Sequence, residues 1–407
     1  MVYPFENFRV GISDPRFFFG REDVISEVIN SPFQVRVLMG GRRLGKTSVL
    51  NAIRWRLLEL DDQVGVRALP VLFNLQQERP TSLDNFRYLL IQRLKETIQN
   101  PQQEEGFDLA KIYRRFLRNR PDIAVNFGVL KANMPNPGKD QSLDHEYFSQ
   151  GLSNIIKNLQ NNHDCRGVCF LFDGAEYLVK QTWANDACSY LRSLKDTTNL
   201  AIKPFLGLFL SGYRDLKDYH QAVSSPLFNI ADIQWLGVLS ASDTEKLIRY
   251  RCQPYKEQLT DDDINKIINL VLEWGGCHPY LSNQMLNIIL DSKEKEKAIS
   301  DEYLTRSLIK QHRKREFTAW WDEDVHSYGF GELEQKVYRA LLEENQATAE
   351  ILVENINLSL NDIEDALTVL AGTGVIHQLD YETYKIGSKL FSQWVIDEKC
   401  NSQCQEA

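Results

Sequence analysis

The run Gly40-Gly41-Arg42-Arg43-Leu44-Gly45-Lys46-Thr47 limits what this chain can be more than any other stretch. It has the spacing G-x-x-x-x-G-K-[ST], and its flanks decide its meaning. Gln34 to Met39 reads as a short buried strand, and Ser48 to Leu58 carries apolar residues at helical spacing. In a strand–glycine loop–helix unit, backbone N–H groups curl round phosphate oxygens and the helix N-terminus adds partial positive charge. Lys46 is placed to reach the β- and γ-phosphates, and the Thr47 hydroxyl to ligate Mg²⁺. Gly40, Gly41, Arg42, Arg43, Leu44, Gly45 and Ser48 complete the candidate cradle.

Such a loop needs a parallel sheet around it, and the chain offers further strands. Ala68 to Leu75 is one. Gly167 to Asp173 is an apolar run ending in acid, so Asp173 is expected at a strand tip beside the loop, meeting Mg²⁺ directly or through water. Gly174 follows it, and the next acid is Glu176. Phe205 to Arg214 reads as another core strand whose polar end carries Ser211 and Arg214. Helical spacing marks Ser82–Gln99, His145–Asn161 and Trp183–Leu194, with Ser82 as an N-cap. Lys111 to Arg120 is a basic amphipathic helix. Nothing else in the chain forms a basic field, so a solvated face is favoured there over nucleic-acid contact. Val125–Ala132 has strand character, and a polar loop covers 134–140.

Phe17-Phe18-Phe19-Gly20-Arg21-Glu22-Asp23, a short way before the loop, resembles the start of the nucleotide-binding domain in the STAND and origin-recognition branches of the AAA+ ATPases. The loop resembles the STAND form G-x-R-R-x-G-K-T-S. Gly41 departs from it where Pro is frequent, which should loosen the loop. Asp173-Gly174-Ala175-Glu176 resembles the D-G-x-[DE] form of NACHT-type STAND proteins, which implies Glu176 as the group that polarises the attacking water. Gly275-Gly276-Cys277-His278-Pro279-Tyr280-Leu281 resembles the family's lid motif. The resemblance spans about residues 17–290. It implies ATP/ADP and Mg²⁺ as cofactors, with Gly20 and Arg21 over the adenine and Ser211 and Arg214 at the sensor-1 position. It further implies that Pro279 closes over the base and His278 senses the phosphates. The alternative for His278 is a helix junction in which it caps or lies exposed.

Three helices, Leu333–Glu344, Thr348–Ile356 and Leu360–Gly372, precede a hairpin from Gly374–Leu379 and Tyr381–Ile386, the order of a winged helix. Residues 331–400 hold thirteen Asp/Glu against five Lys/Arg, and the third helix has no Lys or Arg. A polyanion would repel such a surface, because duplex affinity comes largely from neutralising phosphates. Ile309 to Trp321 reads as a connector. The expected division is a lead-in at 1–16, a P-loop core at 17–238, a helical lid at 239–315, a winged helix at 316–398 and a polar tail at 399–407.

The composition of the 407 residues, 43% hydrophobic and 25% charged, is that of a globular chain. No apolar run approaches a membrane span, and the N-terminus lacks the order of a signal peptide. Seven scattered cysteines give no disulfide framework, Cys400 and Cys404 are read as residues of a frayed polar tail in preference to a metal or redox pair, and the expected compartment is the cytoplasm. The function expected is a slowly hydrolysing STAND-type switch whose nucleotide state controls conformation, self-association or binding of another protein chain. The resemblance implies a setting in prokaryotic defence or stress signalling. The first alternative is an origin-recognition-like or transposition-associated ATPase acting on DNA. The second, suggested by Gly174, is a scaffold that holds nucleotide without turnover.

Overall fold

The structure is a computed structural model and describes residues 11–59 (save 13), 66–99, 109–117, 143–223 (save 197–199), 225–291, 316–322 and 329–400 (save 381). The expectations for Val125–Ala132, the loop at 134–140, the end of the basic helix, the basic connector before Glu316 and Cys404 lie outside the described residues.

The chain divides into two compact units. The first holds α1 (Glu22–Asn30), β1 (Val35–Met39), α2 (Lys46–Glu59), β2 (Ala68–Asn74), α3 (Leu75–Glu78), α4 (Leu83–Gln99), α5 (Leu109–Leu117) and α6 (His145–His163). It continues through β3 (Gly167–Asp173), α7 (Glu176–Val179), α8 (Ala184–Ser193), β4 (Leu206–Gly212), α9 (Arg214–Val223) and β5 (Asp232–Trp235), whose last residue falls in the second unit. The second unit comprises Gly40–Gly45 and the chain from Trp235 onward.

β1 and β4 are buried at every residue, and β3 at all but its last. Runs of Val, Leu and Phe without alternation suit strands covered on both faces, as a parallel sheet requires. The sheet order is β2-β3-β4-β1-β5, with β1–β4, β4–β3 and β3–β2 parallel. β4 therefore lies between the strand that feeds the phosphate loop and the strand that ends in Asp173. Direct adjacency of Asp173's strand to the loop is not what the fold uses. The register sets Leu38 beside Ser211 and Asn74 beside Asp173, so the polar strand tips share one edge. β2 ends one residue earlier than its hydrophobicity suggests, because the Asn74 side chain accepts from the N–H groups of Gln76 and Gln77 at 3.1 Å and starts α3.

α5 turns its aromatic side inward. The Tyr113 hydroxyl donates to the Pro70 carbonyl at 2.6 Å and the Arg67 guanidinium lies over Phe116, while Lys111 and Arg115 are exposed. This is a helix anchored by its apolar stripe with a solvated basic face.

In the second unit, α10 (Ala241–Cys252), α11 (Asp261–Gly275) and α12 (Pro279–Asp291) occupy the region expected as a helical lid, and Ser240 and Thr260 cap the first two as their sequences signal. Then come α13 (Thr318–Trp321), α14 (Glu332–Glu344), β6 (Gln346–Thr348), α15 (Ala349–Ile356), α16 (Leu360–Thr373), β7 (Ile376–Gln378), β8 (Thr383–Ile386) and α17 (Lys389–Val395). Two differences from the sequence expectation stand out. Asn345 takes a positive φ (64°) that ends α14, and the next three residues pair with β8 as a third strand of the wing. Trp320 and Trp321, expected in a connector, instead pack with Phe317, Phe330, Phe391 and Trp394 in a buried aromatic cluster. Among the described residues no helix is long and apolar enough to cross a membrane.

Candidate nucleotide site

Lys46 and Thr47 open α2, so both stand in the first turn of a 14-residue helix, where backbone N–H groups lack intrahelical partners. Gly45 precedes them at φ 95°, a conformation that a side chain would disfavour. The Thr47 hydroxyl donates to Asp173 Oδ2 at 2.9 Å, and the Ser211 hydroxyl donates to Asp173 Oδ1 at 3.0 Å. Two residues singled out from sequence thus converge on the carboxylate of a third, although α2, β3 and β4 are far apart in the chain. A hydroxyl beside a carboxylate at a helix N-terminus is an oxygen donor set that fits a hard cation such as Mg²⁺ carried by a polyphosphate.

Glu176 is the first residue of α7 and is 6% exposed, and its Oε2 is buried without a hydrogen-bond partner. Burial pushes its carboxyl above the usual range. The Lys46 ammonium opposes that shift, while Asp173 and Asp215 reinforce it. Lys46, Asp173 and Glu176 therefore act on one another electrostatically. The structure also explains why the acid stands three places after Asp173. Gly174 has φ 69°, and a Cβ there would lie 2.8 Å from Gln76 Cγ, so a glutamate at that position would be strained and obstructed.

Other candidate residues take different places. β4 ends at Gly212, and Arg214 begins α9, where it pairs with Asp218 at 3.6 Å instead of standing at a strand tip. Ser48 is buried, and its hydroxyl accepts from the Ile12 N–H at 2.9 Å, while Asn51 Nδ2 donates to the Ile12 carbonyl at 3.0 Å. The lead-in is thereby stitched to α2, and a Cβ at Gly11 would press to 2.6 Å from the Thr47 methyl. Gly20 and Arg21 are both left-handed (φ 76° and 67°) at the entrance to α1, and Phe18 meets Trp55 edge-on at 6.4 Å.

The first half of the loop is described with the second unit. The Gly41 N–H donates to the Gly372 carbonyl at 2.8 Å, and a Cβ at Gly41 would lie 2.8 Å from Thr373 Cα. Gly41 is therefore a close-approach position. Proline would lose the donor and collide, so loosening the loop is not this glycine's part. Leu44 is buried and Arg42 half-buried. Arg43 donates to Glu316 through Nη2 at 2.8 Å and Nε at 3.3 Å, and its guanidinium lies 4.8 Å from the centre of the Tyr280 ring. His278 is fully buried and stacked on Trp320 at 5.0 Å, and its Nδ1 accepts from the Tyr280 N–H at 3.3 Å. With Pro279 opening α12, that is the geometry of a cap set in a core. Glu316 was missed from sequence: no motif surrounds it, and 273 residues separate it from Arg43.

Residues 325–387 match the family model described as sugar-specific transcriptional regulator TrmB. Among solved structures the chain is similar to a Walker-type ATPase of Pyrococcus abyssi, with 15% identity and a TM-score of 0.54, over 95% of this chain and 98% of that one. Looser similarities include the ORC2 protein of Aeropyrum pernix (12% identity, TM-score 0.43, 91% and 89% covered). Cdc6p from Pyrobaculum aerophilum is another (14% identity, TM-score 0.41, 96% and 97% covered). No curated protein matches the chain. The STAND class expected from the motifs finds no support in these matches. The chain has the fold of a P-loop ATPase with a winged helix toward its C-terminal end.

Proposed function

We propose that this protein binds ATP with Mg²⁺ at Gly40–Thr47 and hydrolyses it. The observation that carries this is the convergence of Thr47 and Ser211 on Asp173 at the N-terminus of α2. In this role Lys46 neutralises the terminal phosphates, and Thr47 and Asp173 hold the cation, which supplies charge neutralisation at the bridging oxygens. Glu176, made more basic by burial and kept ionised by the Lys46 ammonium, accepts a proton from the attacking water. Ser211 fixes the orientation of Asp173. The domain limits that accompany this role are a core at 17–238, a lid at 239–315 and a winged helix at 316–398. Calorimetric titration tests the proposal. Lys46→Ala should abolish ATP binding, and unchanged affinity in that variant would remove it.

Two outputs of the nucleotide state have support. The better supported is an origin-recognition-like ATPase acting on DNA, since the C-terminal region matches a transcriptional-regulator winged helix and similar solved folds include ORC and Cdc6 proteins. The second is a protein-level switch of the STAND kind. It is supported by the outer face of α16, where Asn361, Asp362, Glu364 and Asp365 are exposed and where a major-groove helix would need to meet phosphates. Duplex binding that requires ATP and weakens steeply with salt would establish the first. A change in oligomeric size between ATP and ADP, with no duplex affinity, would establish the second.

A further inference from the structure

Arg43 occupies a backbone conformation that residues with a Cβ avoid, at φ 69° in the middle of the phosphate loop. Something must hold it there, and the contacts of its side chain are specific. Two guanidinium nitrogens are directed at the two oxygens of Glu316, at 2.8 and 3.3 Å, in the side-on fork that arginine and a carboxylate share. The ring of Tyr280 covers the guanidinium at 4.8 Å. The Arg43 side chain is 18% exposed and that of Glu316 7%, so the pair is largely withdrawn from water. Glu316 is itself fixed. Phe317, the next residue, is fully buried and packs on Trp320, Phe391 and Trp394.

A carboxylate has no favourable direct business with a nucleotide phosphate, since like charges repel. A buried, paired carboxylate that contacts a phosphate-loop arginine therefore acts through that arginine. We propose that Glu316 is a positioning residue for nucleotide binding: by pinning the Arg43 guanidinium it holds the left-handed Arg43 backbone, and with it the curl that presents the following N–H groups to phosphate. The inference rests on the reading of Gly40–Thr47 as a phosphate loop. It adds a residue from the segment after the lid, outside every motif, to what shapes that loop.

Titration calorimetry with MgADP on the full chain separates the possibilities by sign. Glu316→Gln, which keeps shape and removes charge, should weaken binding by roughly tenfold. Arg43→Gln should weaken it similarly, and the double variant should be no worse than either single one, because the two residues act as a unit. Arg43→Gly is the decisive variant. It deletes the guanidinium but suits a positive φ, so it should recover most of the affinity that Arg43→Gln loses. If Arg43 served instead as a direct phosphate ligand restrained by Glu316, Glu316→Gln would tighten binding and Arg43→Gly would be as weak as Arg43→Gln. Either of those results overturns the proposal, as does unchanged affinity in Glu316→Gln. Thermal melting without nucleotide identifies any variant that fails to fold. Should Glu316→Gln lose its fold, Arg43→Gly against Arg43→Gln decides alone. Lys46→Ala marks the separate failure. If it still binds MgADP, the phosphate-loop reading falls; if it does not bind while Glu316→Gln binds normally, only the role of Glu316 falls.

Discussion

Glu176 carries a conflict that its neighbours only partly resolve. Burial favours its neutral form, Asp173 and Asp215 press in the same direction, and Lys46, helped by a backbone hydrogen bond, opposes them. A carboxyl whose pKa is raised on folding stabilises the native state most at pH values below the ordinary carboxylate range, and that contribution is lost as pH rises through the raised value. Glu176→Gln keeps the neutral shape at every pH. It should therefore abolish turnover while leaving ATP binding, and should raise native stability at pH 8 by about 0.5–2 kcal/mol, with the gain shrinking toward pH 4. Melting curves at both pH values, beside a phosphate-release assay, check this. If the wild type turned over ATP no faster than Glu176→Ala, the protein would be a nucleotide-holding scaffold. At this scale much of the site was legible. Lys46, Thr47 and Asp173 announce themselves because spacing to a glycine loop or a strand end fixes where their side chains go. Arg214 was misplaced because hydrophobicity cannot say that β4 stops at Gly212 and that a helix begins two residues later. Glu316 was invisible, since a single acid gains meaning only from a partner that the fold brings to it.

Among the elements, the joint between α11 and the wing is built around missing side chains. Gly276 ends α11 at φ 60°, and a Cβ there would lie 2.0 Å from the Gly387 carbonyl oxygen. The same joint holds His377, whose Nε2 lies 2.8 Å from the Gly276 carbonyl and is its donor, and Ser388, whose hydroxyl donates to the Trp274 carbonyl at 2.9 Å. Burial pushes the His377 imidazole below the usual histidine range, its bond to Gly276 partly offsets this, and Lys385 adds to it. The native state then binds fewer protons than the unfolded chain, so stability is present above the ordinary histidine value and falls as pH drops below it. Acidification from pH 7.5 to 5.5 should lower the hydrogen-exchange protection of β7, β8 and the end of α11, referred to the intrinsic rate at each pH, and His377→Gln should remove most of that loss. The lid and wing helices were readable from period and capping residues. The three-residue strand β6 was not, because a strand that short has no period of its own and exists through its pairing with β8. Nor did the sequence reveal the insertion of β4 between β1 and β3. Strand order is decided by how crossovers pack, and hydrophobic runs of equal length carry no label for their neighbours.

For the whole molecule, the phosphate loop is covalently continuous while its residues fall to different units: Gly40–Gly45 to one, Lys46 and Thr47 to the other. Its first half is tied to Gly372 at the end of α16 and to Glu316 before α13, and its second half begins α2. Asp173, at the far side of β4 from the loop's own strand, has a further consequence that concerns timing. Each of its oxygens already accepts a hydroxyl proton, one from Thr47 and one from Ser211. A bare divalent ion would have to displace one of these bonds while still surrounded by its own tightly held water, with a single carboxylate as reward. An ion already bound to a triphosphate brings oxygen ligands with it and asks only that Thr47 turn its hydroxyl. If Thr47 and Asp173 hold the cation as proposed, the order of arrival is set by one side chain, and metal and nucleotide would enter together.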